Sequence, residues 1–166
     1  MSKTSLAILT AFITFICTSI LWVGVGLVSY RAWLGLDDWL GDEVFQVELE
    51  TPMLVKVGEV FSMQVKATNT SEDLATLGSI DVYDSLLDGF EVLGVSPEPK
   101  SQSGLFGFQS YYFDGLRMKP GESTTVTFEL KAAKPGMWQG DVDCCTPLEN
   151  FTSEVATIMV SDAADQ

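Results

Sequence analysis

Apolar and polar positions follow three successive patterns along this chain. Residues 5–30, SLAILTAFITFICTSILWVGVGLVSY, contain no charged side chain. A charge-free, mostly apolar run of about 18 residues or more predicts a membrane-spanning helix. At about 1.5 Å per residue this one reaches about 39 Å, against a hydrocarbon core of about 30 Å. Residues 31–43, RAWLGLDDWLGDE, then place Trp33, Leu36 and Leu40 at helical spacing, with Trp39 nearby and Asp37, Asp38, Asp42 and Glu43 on or beyond the other face. Tryptophan favours the membrane–water boundary, so this segment is expected to lie at the headgroups as a short juxtamembrane helix.

From Val44 onward the period becomes two, which is the strand period. VFQVELE alternates Phe45, Val47 and Leu49, and VFSMQVKATN alternates Phe61, Met63, Val65 and Ala67. STTVTFELKA alternates Thr124, Val126, Phe128 and Leu130, whereas SEVATIMVS is apolar on both sides and predicts a strand covered on both faces. Turn signals separate these runs at Val57-Gly58, Asp88-Gly89, Pro120-Gly121 and Pro135-Gly136. No sustained helical pattern follows residue 43. The expected fold is all-β: an antiparallel, immunoglobulin-like sandwich of about seven to nine short strands. It spans residues 44–160, behind a transmembrane helix at 5–30, with an acidic tail at 161–166.

Three stretches carry a family resemblance: VKVGEVFSMQVKATNTS, IDVYDSLLDGFEVLGVSP and MKPGESTTVTFELKAAKPG. Together they resemble the conserved-repeat, immunoglobulin-like module of bacterial surface proteins. That pattern has a glycine before a long strand ending in T-N-T, a strand ending in D-x-L, a strand opened by glycine and a hydrophobic residue, and a P-G-E-S turn into another strand. The likeness covers most of residues 50–160. It implies an extracytoplasmic structural or adhesive module rather than a catalyst. The chain departs from the family in carrying one copy instead of a tandem array, and in its DCCTP segment.

The apolar run at 5–30 is read as an uncleaved anchor. A signal peptide has a shorter apolar core closed by small residues, and here Tyr30, Arg31 and Trp33 stand where small residues would be needed. Cys17 follows Phe15 and Ile16, which does not suit a lipoprotein cleavage site. Flanking basic residues are only Lys3 and Arg31, so orientation rests mainly on the extracytoplasmic look of the sandwich. Residues 1–4 are expected in the cytoplasm and the domain on the periplasmic or extracellular side. Within the helix, Ala7, Ala11, Thr14 and Thr18 share one face, a seam of small and hydroxyl residues suited to packing against a partner helix.

Charge and chemistry then narrow the function. Lys and Arg number 9 against 23 Asp and Glu, giving a net charge of −14, and histidine is absent. The missing histidine removes Ser-His-Asp and Cys-His nucleophilic arrangements and histidine-ligated copper. No Walker loop, G-x-S-x-G or dinucleotide glycine pattern appears, so no catalytic residue, cofactor site or small-molecule substrate is assigned. The negative charge argues against nucleic acid and anionic lipid as ligands. Asp81, Asp84 and Asp88, or Asp141 with Asp143, raise the question of calcium, but no calcium-loop spacing is present and a solvated acidic surface is expected. Sequons stand at Asn69-Thr70-Ser71 and Asn150-Phe151-Thr152; the first coincides with the T-N-T strand end.

The adjacent cysteines of GDVDCCTP raise a redox or metal question. Strand alternation puts Trp138, Gly140, Val142 and Cys144 on the core side and Gln139, Asp141, Asp143 and Cys145 on the other. Neighbouring Cα atoms lie about 3.8 Å apart, short of the usual disulfide range of about 4.4–6.8 Å, and Cys17 belongs to the membrane segment. Cys144 is therefore expected as core packing and Cys145 as the candidate reactive thiol. Finally, SGLFGFQSYYFDGL carries aromatics on both sides of one strand, which a sheet wetted on one face does not require. Phe106, Phe108 and Tyr111, with Trp33 and Trp39, are the candidate partner contacts. The sequence thus predicts a membrane-anchored binding or structural module, an accessory subunit of a larger membrane complex. A thiol redox or metal-handling module is the alternative.

Overall fold

The computed structural model describes residues 44–162 except Phe106 and Glu149. The predicted spanning helix at 5–30 with its seam Ala7, Ala11, Thr14 and Thr18, and the segment at 31–43 with Trp33 and Trp39, lie outside the described residues. Among those described, no helix is long and apolar enough to cross a membrane.

Ten strands and one helical turn follow in order: β1 Phe45–Glu50, β2 Leu54–Lys56, β3 Val60–Asn69, β4 Ala75–Tyr83, α1 Asp84–Leu87, β5 Phe90–Ser96, β6 Ser101–Leu105, β7 Phe108–Met118, β8 Ser123–Ala132, β9 Gly136–Cys145 and β10 Phe151–Ser161. They form two sheets, ordered β1-β3-β8-β5 and β2-β10-β9-β4-β7-β6. All pairings are antiparallel except β10 with β2. The expected immunoglobulin-like sandwich is present, with one strand more than the upper expectation among the described residues.

Period-two alternation drives the assembly, because every second side chain of a strand meets the facing sheet. Phe45 and Val47 of β1, Phe61, Met63, Val65 and Ala67 of β3, and Val126, Phe128 and Leu130 of β8 are all buried. They face Ile80 and Val82 of β4, Val142 and Cys144 of β9, and Ile158 and Val160 of β10 in one core. Two edge-to-face ring pairs fix the packing: Phe61 on Phe90 at 5.4 Å and Tyr111 on Phe128 at 5.0 Å. Helical turn α1 buries Leu86 and Leu87. It lies so close to Gly140 that a Cβ there would meet the Leu86 backbone nitrogen at 3.0 Å.

The T-N-T strand end proves to be a structural anchor. Asn69 is fully buried, and its amide donates to the carbonyls of Asp73 (2.7 Å) and Met118 (2.9 Å). Its carbonyl oxygen accepts from the Ser71 backbone and hydroxyl. The first sequon is thus committed to internal hydrogen bonds in the folded chain.

Two expectations require correction. Strand β10 is not covered on both faces: Ala156, Ile158 and Val160 are buried, while Val155 and Met159 are 53% and 51% exposed. Met159 pairs across to both Leu54 and Met137, which are also exposed, so the outward side of this sheet end is an uncovered apolar row. Tyr111, expected at a partner surface, is 3% exposed and stacked on Phe128. Its neighbour Tyr112 takes the outward position. With aromatics on both sides of β7, alternation alone does not say which set faces inward.

Candidate functional site

The outward face of the six-stranded sheet is built by registers that cross β6, β7, β4, β9 and β10. One row runs Ser101, Tyr112, Ser79, Cys145, Phe151. The next runs Ser103, Ser110, Asp81, Asp143, Ser153. Beyond it Phe108 pairs with Tyr83, their rings 5.7 Å apart. These residues alternate with the core positions Ile80, Val82, Val142 and Cys144, so the same period that builds the core places them outside it.

The face is not flat. The register of β4 against β7 shifts between Leu77 and Ser79, where the single residue Gly78 faces three residues, 113–115, that bulge from β7. Bulges bend a strand and re-aim its side chains. The loop after β9 closes on itself, with the Thr146 backbone nitrogen donating to the Asn150 carbonyl. It brings Pro147 against Gly78, where an added Cβ would sit 3.1 Å from the proline nitrogen. The result is a groove of about 760 Å³, walled by Tyr83, Phe108, Tyr112, Phe151 and Pro147, with Asp81, Asp143, Ser79 and Cys145 also lining it.

Its electrostatics are unusual for an outward sheet face. Asp81 and Asp143 stand directly opposite each other across β4 and β9, and Asp143 is only 9% exposed. One buried carboxylate oxygen of each, Oδ1, has no hydrogen-bond partner. Burial pushes the Asp143 carboxyl above the usual aspartate range, and the charges of Asp141 and Asp81 push the same way, against the nearby Ser153 and Tyr83 hydroxyls. The Tyr83 phenol is raised chiefly by the charge of Asp143. The expected solvated acidic surface is corrected here: Asp143 is enclosed, and its neighbour across the sheet is Asp81, a pairing set by register alone.

The cysteines fall on the predicted sides. Cys144 is fully buried, Cys145 is partly buried, and both are free thiols. Burial pushes each up to about 12, with the Asp81 charge as the next cause for Cys145 and the neighbouring Cys145 sulfur the next for Cys144. The Cys145 thiol is directed at Asp81 Oδ2, 3.8 Å away. The nucleophile and metal ligand is the thiolate, and activated cysteines sit in electropositive surroundings that lower the pKa. Cys145 has the opposite surroundings and stays protonated. Among the described residues no group of three or more His, Cys, Asp or Glu is placed to hold a metal ion.

Of the sequence-derived contacts, the structure brings Phe108 and Cys145 to this groove and turns Tyr111 away from it. Phe106 lies outside the described residues. Sequence reasoning missed Tyr83, Tyr112, Phe151 and the Asp81–Asp143 pair. Alternation signalled that Tyr112 and Phe108 share a side, but nothing in the sequence joins β4 to β9.

No family model and no curated protein matches the sequence. Solved structures do resemble the fold. A cohesin module from a Clostridium perfringens family 33 glycoside hydrolase superposes with a TM-score of 0.51 at 9% identity, covering 73% of this chain and 99% of that one. The CARDB domain of the PF1109 protein from Pyrococcus furiosus, in complex with di-metal ions, gives a TM-score of 0.45 at 15% identity over 74% and 96% of the two chains. At such identities the likeness shows the two-sheet fold alone.

Proposed function

We propose that this chain is a single-pass, membrane-anchored binding module that acts as an accessory subunit of a larger membrane assembly. Residues 5–30 span the bilayer, residues 1–4 stay in the cytoplasm, and the sandwich stands on the periplasmic or extracellular side. The reading draws on the charge-free run at 5–30 and on the likeness of residues 50–160 to surface-protein modules. The observation that carries the binding role is the groove on the six-stranded sheet, where aromatic rings line an open, structured depression. Aromatic residues are enriched at protein interfaces because they bury large areas with few freely rotating bonds. The function proposed is binding rather than catalysis. The two thiols have the wrong electrostatic setting for nucleophilic or redox chemistry.

Purification of the native protein in mild detergent tests this reading. Partner proteins should co-purify with the wild type and be lost on Tyr112→Glu, which places a charge on the groove wall. Ser62→Glu, on the exposed face of the other sheet, should leave them bound. Equal recovery from all three proteins would contradict the groove as the binding surface. Ala11→Leu should weaken the same association through the membrane seam without unfolding the sandwich.

A further inference from the structure

The binding role leaves the ligand's chemistry open, and the groove's own composition narrows it; any ligand assigned to the groove rests on that role. Like charges placed directly opposite across a β pair destabilise a sheet, yet Asp81 and Asp143 occupy such a pair. Each keeps a buried oxygen without a hydrogen-bond partner. A buried, unpaired acceptor is costly, and such groups are normally satisfied by protein or by something bound.

Among the described residues, none supplies a cation for them. No lysine or arginine lines the groove. The three ion pairs among the described residues use Glu48, Asp114 and Glu91 instead. A hard metal ion fits poorly, because calcium takes about six to eight oxygen ligands and among the described residues no group of three or more His, Cys, Asp or Glu is placed to hold a metal ion. Aromatic faces do attract organic cations through their quadrupoles, and they bury the methylene stem of a long basic side chain. The net charge of −14 adds long-range attraction for a basic partner.

We propose that the groove receives a basic side chain of a partner protein, with its ammonium or guanidinium group at Asp81 and Asp143 and its stem against Tyr83, Phe108 and Tyr112. The occupant completes the hydrogen bonding that the fold leaves open, and the two unpartnered Oδ1 atoms mark where it sits.

The test uses the full chain in an uncharged detergent, with butylammonium and butylguanidinium as probes and amide NMR shifts of Ser79, Asp81 and Cys145 as the readout. Both cations should give saturable shifts. Binding should weaken at least tenfold in Asp143→Asn and in Asp81→Asn, and be unchanged in Asp114→Asn, whose carboxylate lies elsewhere. Tyr112→Leu, which removes a ring but no charge, should weaken binding as well, and provides a second variant if either asparagine variant misfolds. Equal binding of neutral butanol would overturn the proposal, as would tighter binding of calcium chloride at the same residues or an absence of saturable shifts. The broader role fails separately. If partners are lost on Tyr112→Glu but kept by Asp143→Asn, the basic side chain is excluded and the binding module stands. If partners ignore both, the module reading itself falls.

Discussion

Asp143 shows how one residue ties stability to the proposed role. Its carboxyl is raised in the folded chain by burial and by Asp141 and Asp81. A carboxyl raised on folding contributes stability that is fully present below its unfolded value of about 3.9 and is lost as pH rises through the folded value. Asp143→Asn keeps the shape and removes the charge, so it should stabilise the protein near neutral pH by about 0.2–1 kcal/mol, the scale of an opposed charge pair. Thermal melts across the acid range should show that gain shrinking as pH falls through the raised folded value and gone below about pH 4. A destabilised variant at neutral pH would mean that the carboxylate is satisfied after all. The cysteines give a second prediction at this scale. Cys144→Ser should cost about 1–3 kcal/mol, because a hydroxyl replaces a fully buried thiol without an assured partner. Cys145→Ser should be nearly silent in denaturant melts. Alternation sufficed to assign these two faces, since Cys144 and Cys145 needed only a strand through Gly140 and Val142. It did not suffice for Tyr111, because β7 carries rings on both sides and only the facing Phe128 decides between them.

Among the elements, β3 and β8 were legible because each buries one clean alternating set. Phe128→Ala in β8 should cost about 3–5 kcal/mol, the usual range for truncating a buried phenylalanine, and would also leave Tyr111 without its edge-to-face partner. Helical turn α1 was not legible: its four residues fall short of one hydrophobic repeat, and tertiary packing of Leu86 and Leu87 holds it. Gly140 is where that packing is tightest. Gly140→Ala would force its Cβ against the Leu86 backbone and the Ser85 hydroxyl, at a cost of about 1–3 kcal/mol for overpacking. Urea melts of this variant beside Gly58→Ala would check the origin of the loss. Gly58 has open space around it but a φ of +87°, so its penalty would be backbone strain alone. Strand β10 misled in the other direction. Apolar residues on both faces suggest double cover, but Val155 and Met159 stand at the surface; a sequence cannot distinguish a covered side from an uncovered apolar one.

At the scale of the whole molecule, the sandwich follows from local alternation, whereas the groove follows from register. Asp81 and Asp143 come from strands far apart in the chain, and a one-residue slip between β4 and β9 would turn the carboxylate of the slipped strand toward the core and break the pair. The sequence therefore advertised the scaffold and scattered the site. The scaffold has its own core, and a fragment of residues 44–161 should fold as a soluble, mostly β protein by circular dichroism. A helical or precipitating fragment would argue against an independent sandwich. The central claim is that the outward groove, not the opposite sheet, meets the partner. The most direct measurement places a photo-crosslinking phenylalanine analogue at Tyr112 or at Ser62 in the full chain within native membranes. A discrete crosslinked partner from Tyr112 and none from Ser62 is the expected result. Crosslinks from Ser62 with none from Tyr112 would contradict it.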